Sequence, residues 1–243
     1  MRINNLIIAV SFIVLVVAFW NRNAIPGRID VVPALLEEPE QVKTREKPFV
    51  VQYDAVDYEV KPEFSYVLHG LVVSYRHHDG NSRMHRLADD HLNMLDVCVV
   101  WGGNADPALL KRLSFWNGIF TCNVKTNSSE AWSAFDMTAL SNNHLISDDP
   151  FIRKAQRKLN IGDQIRIEGM LSSYGAAGGP VRGTSTTRTD TGNGACETIY
   201  VSRFDIVEPG VSVWRLAMWG SLLLLALSLG VHFKRPYQPY AAD

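Results

Sequence analysis

A mainly β domain carried between two apolar helices is the fold class this sequence predicts, and three observations carry it. Two uncharged apolar runs, residues 6–20 (LIIAVSFIVLVVAFW) and 216–231 (LAMWGSLLLLALSLGV), lie near the ends of a 243-residue chain. Between them, β-branched and aromatic residues alternate with polar ones in short runs that read as five strands. One helical segment interrupts those runs before the last two strands.

The terminal runs set the compartment. Each is slightly short of the roughly 20 residues that span a bilayer. Residues 3–5 and 213–215 make up the length, and Trp20, Trp214 and Trp219 suit interfacial anchoring. No small-x-small cleavage site follows Ala18, so the first run reads as an uncleaved anchor rather than a signal peptide. The second is apolar on every face, which a buried core helix rarely is. The expected division is an anchor at 1–20, a tether at 21–61, a β domain at 62–210, a second span at 211–233 and a short tail at 234–243. Two spans put both termini on one side. The amino terminus, Arg2, Lys234 and Arg235 against Arg22, Arg28 and Arg215 favour the cytoplasm for them by a narrow margin. The chain therefore reads as a bacterial inner-membrane protein with a periplasmic domain and the lipid bilayer as its first partner.

Charge and cysteine content exclude little. Lys and Arg total 24 against 25 Asp and Glu, so no whole-chain pull toward nucleic acid is implied. Three cysteines cannot all pair. Cys98 (LDVCVVW) and Cys122 (GIFTCNVK) sit in strand-like runs that can be neighbours. A disulfide in an oxidising compartment and a pair of small buried hydrophobes are both open readings.

The tether is rich in Pro and charge, with Phe49 to Tyr58 an extended stretch that can join the domain. FSYVLHGLVVSY alternates as a strand, with Gly70 marking a bulge. MLDVCVVW is the second strand. FWNGIFTCNVKT is the third, folded as a hairpin at Asn117-Gly118. Ser128 or Ser129 caps a helix expected to carry Trp132, Phe135, Ala139 and Leu140 on its buried stripe. Asp149-Pro150 starts a second, basic helix, FIRKAQRKL. DQIRIEGMLSSY and ETIYVSRFDIV are the last strands, separated by the polar loop RGTSTTRTDTGNGAC.

Three strands, a helix and two strands is the order of the five-stranded OB barrel. IGDQIRIEGMLSSYG, the polar loop and ETIYVSRFDIV resemble the end of the OB domain in bacterial single-strand DNA-binding proteins. The chain is also similar to OB modules anchored in bacterial membranes. It departs from them in a long first connection and in the two flanking spans, and a twisted antiparallel sandwich is the competing fold. The resemblance implies that two long loops, 76–93 and 174–196, rim one ligand face.

Candidate chemistry sits in those loops. Arg182, Arg188, Asp190 and Asn193 supply charge, hydroxyl neighbours and turn backbone for a polar ligand or partner. Asp190-Thr191-Gly192 is the aspartic-protease triplet, but no apolar strand precedes it and no second copy exists, so it reads as a turn. His77, His78, His85 and His91 with Asp79, Asp89 and Asp90 match no metal-ligand spacing. His77 and His78 remain candidates for ligand contact. Trp101, Trp116 and Tyr75 are the stacking aromatics that nucleic-acid binding needs, and Arg153, Lys154, Arg157 and Lys158 form one basic patch. No phosphate-binding Gly-rich loop and no Gly-x-Ser-x-Gly elbow occurs, and no cofactor is expected.

The expectation is a non-enzymatic envelope protein whose periplasmic domain binds a partner protein or polar ligand through its long loops. Two alternatives belong to other classes. One is a cytoplasmic single-strand nucleic-acid binder. The other is a metal-dependent or acid hydrolase using the histidine loop and Asp190.

Overall fold

The computed structural model describes residues 3–78, 86–87, 90–118, 120–192 and 194–234. They fall into two units, Gly27–Gly210 and the paired chain ends Met1–Pro26 with Val211–Asp243. In chain order the elements are α1 (Ile3–Asn21), β1 (Glu40–Lys43), β2 (Phe49–Tyr53), β3 (Val56–His77), β4 (Asn93–Val100), α2 (Pro107–Leu110), β5 (Ser114–Asn117), β6 (Cys122–Lys125), α3 (Ser129–Ala134), β7 (Leu140–Ile146), α4 (Pro150–Gln156), β8 (Gln164–Ala176), β9 (Glu197–Glu208) and α5 (Val213–Lys234).

In the terminal unit, α1 and α5 pack against each other. Both are long and apolar enough to cross a membrane. What they bury is small and polar: Asn4, Ser11 and Ala18 on α1, Ser221 and Ser228 on α5. Each set is spaced by seven residues, which returns to the same helix face every two turns. Asn4 Nδ2 donates to the Ser228 carbonyl at 3.2 Å. The large residues face outward, Phe12, Ile13 and Trp20 on one helix and Trp219, Leu223 and Leu227 on the other.

The central unit is a sheet whose pairings return to their start. β3 pairs antiparallel with β4 and β4 antiparallel with β7. β7 runs parallel to β9, and β9 pairs antiparallel with β8. β8 then pairs antiparallel with β3 over Tyr58 to Leu71. β1 and β2 extend the sheet along β3. The larger core holds Val97, Val99, Leu145, Ile167, Ile199 and Val201, with Ile152 and Ala155 of α4 packed on it. A smaller core gathers Tyr58, Val60, Leu92, Ile146 and Tyr174 beneath Phe49 and Val51 of β2.

Local chemistry explains several element boundaries. Asp149 accepts hydrogen bonds from the amides of Phe151 at 2.7 Å and Ile152 at 3.4 Å, and Pro150 occupies the first turn of α4. Gly70 does not mark a bulge; the register shift falls between Val72 and Ser74. Gly70 is required because a Cβ there would lie 2.7 Å from the Val99 Cβ.

Four expectations need correction. The tether is shorter than residues 21–61: β1 at Glu40–Lys43 joins the sheet together with β2 and the start of β3 in the extended stretch Phe49 to Tyr58, with Pro39 and Pro48 just outside the edge strands where a missing donor is harmless. The Ser128-capped helix stops at Ala134, so Phe135, Ala139 and Leu140 lie beyond it. FWNGIFTCNVKT is not the third strand of the main sheet. It forms β5 and β6, a separate two-stranded sheet with the loop 118–121. The third strand of the circuit is β7, LSNNHLI, and among the described residues β1 and β2 add two strands to the five of the circuit.

Candidate functional site

A pocket of about 280 Å³ lies between the tip of the β5–β6 hairpin and the loop that follows β8. Its walls are Tyr58, Tyr174 and Phe120, with Pro180 and Val181 on the loop side. Arg182 supplies the cation. The guanidinium carbon sits 4.0 Å from the Phe120 ring centre, and Nη1 lies 3.7 Å from Asp90 Oδ2. Asp90 itself is held: the Tyr174 hydroxyl donates to it at 2.9 Å and the Asn93 amide at 3.3 Å. Burial, and then the charge of Asp90, push the Tyr174 phenol well above its ordinary value, so it stays a neutral donor. A flat cation stacked on an aromatic face beside a carboxylate, at the wall of a mostly apolar cavity, suits an apolar group that carries an oxygen acceptor.

Phe120 is placed by strain as well as by packing. Its φ is +58°, a left-handed conformation that bulky residues rarely adopt. Its carbonyl accepts from Asn142 Nδ2 at 3.1 Å, and its ring meets His144 edge-on at 5.9 Å. These contacts, with the Arg182 stack, hold the residue where the pocket needs it.

The long loop is folded on itself. The Ser185 hydroxyl donates to Asp190 Oδ2 at 2.5 Å, and the Ser185 amide donates to the Cys196 carbonyl. Asp190 is thus occupied within its own turn. Arg188 reaches inward and pairs with Glu197 at 3.1 Å, above the Trp101 ring at 5.0 Å. Burial pushes the Glu197 carboxyl up, against the Ser141 hydroxyl and Arg188, which draw it down. Arg188 and Trp101 therefore fasten the loop to the sheet rather than face a ligand; Trp101 is buried.

Beneath the hairpin lies a buried polar layer that the sequence reading missed. In β4 and β7, alternate residues point away from the larger core. Asp96, Cys98, Asn142 and His144 form that outer face. Asp96 is fully buried, with His144 Nδ1 at 2.5 Å, His78 Nε2 at 2.8 Å and Asn93 Nδ2 at 3.1 Å. Burial raises the Asp96 carboxyl, but the hydrogen bonds of His144 and His78 outweigh it and hold the group well below the usual carboxylate range. Cys98 and Cys122 are joined as a disulfide, with Cα atoms 5.8 Å apart, and the bridge ties β4 to β6. Cys196 is a free thiol that donates toward the Phe120 carbonyl. Burial pushes its thiol up, the reverse of what an activated nucleophile needs.

The remaining sequence candidates disperse. His77 packs edge-on against Tyr75, and burial lowers its imidazole. Trp116 is half exposed on the hairpin, with Lys125 5.7 Å from its ring centre. Arg153 leaves the basic patch: it donates to the carbonyls of Ser147 and Leu92 and stacks on Tyr53 at 4.0 Å. Asn193, His85, Asp79 and Asp89 lie outside the described residues. Among the described residues no three His, Cys, Asp or Glu side chains converge as a metal-ligand set. Of the described sequence candidates, then, Arg182 and Asp90 line the aromatic pocket. Their companions Phe120, Tyr58 and Tyr174 come from three separate runs, and only tertiary pairing brings them together. No protein-family model, curated protein or solved structure matches the chain.

Proposed function

We propose that this is a two-span membrane protein whose central unit is an OB-like barrel acting as a binding module, with the Phe120–Arg182 pocket as its recognition site. That pocket is the observation that carries the reading. It is lined by aromatic and aliphatic groups, has one stacked cation paired with the Asp90 carboxylate, and is framed by the hairpin tip and the long loop. The occupant is a largely apolar group with an oxygen acceptor for Arg182, carried by a partner protein or a small ligand.

The strand circuit supports the barrel. The five pairings follow the OB order, with α4 between the third and fourth strands of the circuit and the parallel pair where that order requires it. The terminal helices support membrane insertion by their inverted polarity. A water-soluble helix pair buries its large apolar residues; this pair buries Asn4, Ser11 and Ser228 and turns Phe12, Ile13, Leu223 and Leu227 outward. The disulfide favours an oxidising periplasm for the central unit.

A nucleic-acid role fits less well. Trp101 is buried, and the outer face of β4 and β7 is covered by the hairpin. Hydrolysis fits less well too, because Asp190 is bound by Ser185 and Asp96 by two histidines inside a sealed layer.

The test is site-specific photocrosslinking in cells from Val181, which is exposed at the pocket mouth. A discrete adduct that disappears with Arg182→Ala is expected. An adduct indifferent to both Arg182→Ala and Phe120→Ala would place recognition elsewhere. Orientation is read separately with Thr189→Cys in a Cys196→Ser background, probed by a membrane-impermeant maleimide; protection until the inner membrane is broken would reverse it.

A further inference from the structure

The β5–β6 hairpin touches the main sheet in two different ways along its length. Its root is fixed by contacts of its own. Thr126 Oγ1 donates to the Arg112 carbonyl at 2.7 Å, Arg112 pairs with Glu130 at 2.6 Å, and Phe115 packs on Phe135 at 6.0 Å. Toward the tip, Asn117 and Phe120 meet the sheet through polar groups and one ring, that of Phe120 against His144. Ser74 Oγ donates to Asn117 at 2.5 Å, Asn117 donates to Asn142 at 3.3 Å, and Asn142 donates to the Phe120 carbonyl. Water can replace each of these hydrogen bonds, so the non-covalent hold on the tip rests on them only weakly and on the stack of Phe120 with Arg182 and His144. The Cys98–Cys122 bridge is the covalent tie at that end.

We propose that the hairpin is a lid hinged at its root and latched by the Cys98–Cys122 disulfide, and that reduction of the bridge lifts it from the outer face of β4 and β7. A dithiol reductant supplies two electrons and two protons. Its two thiols become a disulfide, the Cys98–Cys122 bond breaks, and both cysteines leave as thiols. Lifting the tip brings Asp96, Asn142 and His144 to solvent and removes Phe120 from the pocket wall. That this face is the barrel's ligand face rests on the OB-like reading; the movement itself does not. The left-handed backbone at Phe120 adds to the argument, since it is held by the contacts that opening releases.

The experiment compares the oxidised full-length protein in nanodiscs with the Cys98→Ser/Cys122→Ser variant and with the wild type treated with dithiothreitol. Two readouts are taken: hydrogen exchange of residues 114–125 and 140–146, and diethylpyrocarbonate modification of His144, with His69 as the accessible reference. The expected result is faster exchange in both segments and modification of His144 raised about tenfold or more, while β8 and β9 keep their protection, the signature of local rather than global opening. Equal rates in oxidised and reduced protein overturn the proposal. Loss of protection in β8 and β9 to the same extent overturns it as well, because that is unfolding. Absence of the bridge in non-reducing peptide maps of protein isolated from an oxidising compartment also overturns it. Failure of the Val181 crosslink, by contrast, refutes the pocket and leaves the lid standing.

Discussion

Replacing Asp96 by Asn probes the buried layer with the least change of shape. The carboxylate is fully buried, accepts from Asn93 at 3.1 Å, and lies against His144 Nδ1 at 2.5 Å and His78 Nε2 at 2.8 Å. Asn keeps the volume but offers one oxygen, and its amide turns a donor toward a donor. Removing one partner of a buried, hydrogen-bonded charge cluster costs about 3–5 kcal/mol. For a unit of this size each kcal/mol moves the midpoint by about 2–4 °C, so a fall of roughly 6–20 °C is expected. The assay is thermal unfolding of the full chain in detergent, followed by tryptophan fluorescence. The pH profile gives a second handle. The Asp96 carboxyl is depressed in the folded state, so its stabilisation is complete above the ordinary value of 3.8 and is lost as pH falls through the lower folded value. The Asn variant should lack that acid-side loss. A variant within about 1 °C of the wild type, with the same acid limb, would refute the claim that this carboxylate organises the layer under the hairpin.

Four further outcomes are expected. Gly169→Ala places a Cβ against the Tyr200 carbonyl and 3.0 Å from Ile199 Cγ2, and should cost about 1–3 kcal/mol in the same melt. Loss of the bridge by Cys122→Ser opens a sequence separation of 24 and should cost about 3 kcal/mol by chain entropy, checked by denaturant unfolding. Burial raises the Glu197 carboxyl above the ordinary 4.5, so its ionised form is penalised at neutral pH and the penalty fades as pH falls through the folded value. Glu197→Gln should therefore compare more favourably with the wild type at pH ~7.5 than at pH ~5 in paired melts, and the opposite order would contradict that sign. Ser11→Leu drives a large side chain into the α1–α5 seam and should separate the helices, read as loss of a cysteine crosslink between engineered positions on α1 and α5.

How legible each part was follows from what its residues face. The two terminal helices were plain because lipid-like exteriors need no pattern finer than continuous apolarity. α4 was plain because Asp149-Pro150 writes its cap locally. β8 and β9 were plain because each runs long with β-branched and apolar residues, Ile165, Ile167 and Leu171 on one and Ile199, Val201 and Phe204 on the other, recurring on the core face. β7 was hidden for the opposite reason. Its outer residues, Asn142 and His144, are polar yet buried under the hairpin, and Asn143 is buried with them, so LSNNHLI shows neither alternation nor an apolar run. The hairpin was seen but misassigned, since Asn117-Gly118 announces a turn and says nothing of which sheet its strands join. The pocket was the least legible. Arg182 drew notice as a charge in a long loop, whereas Phe120 became a wall only through a left-handed backbone and a stack that no local spacing encodes.

The Asn4–Ser228 contact has a consequence for biosynthesis. The two groups are 224 residues apart in the chain. At roughly 5–20 residues per second, α1 is complete some tens of seconds before its partner helix exists. On the membrane reading, an amide and a seryl hydroxyl wait in the bilayer through that interval with no internal mate, available to any passing helix that offers a carbonyl. The seven-residue spacing then acts as a recognition code between the first and last segments made. Assembly quality rests on how faithfully α5 outcompetes the helices that reached α1 first.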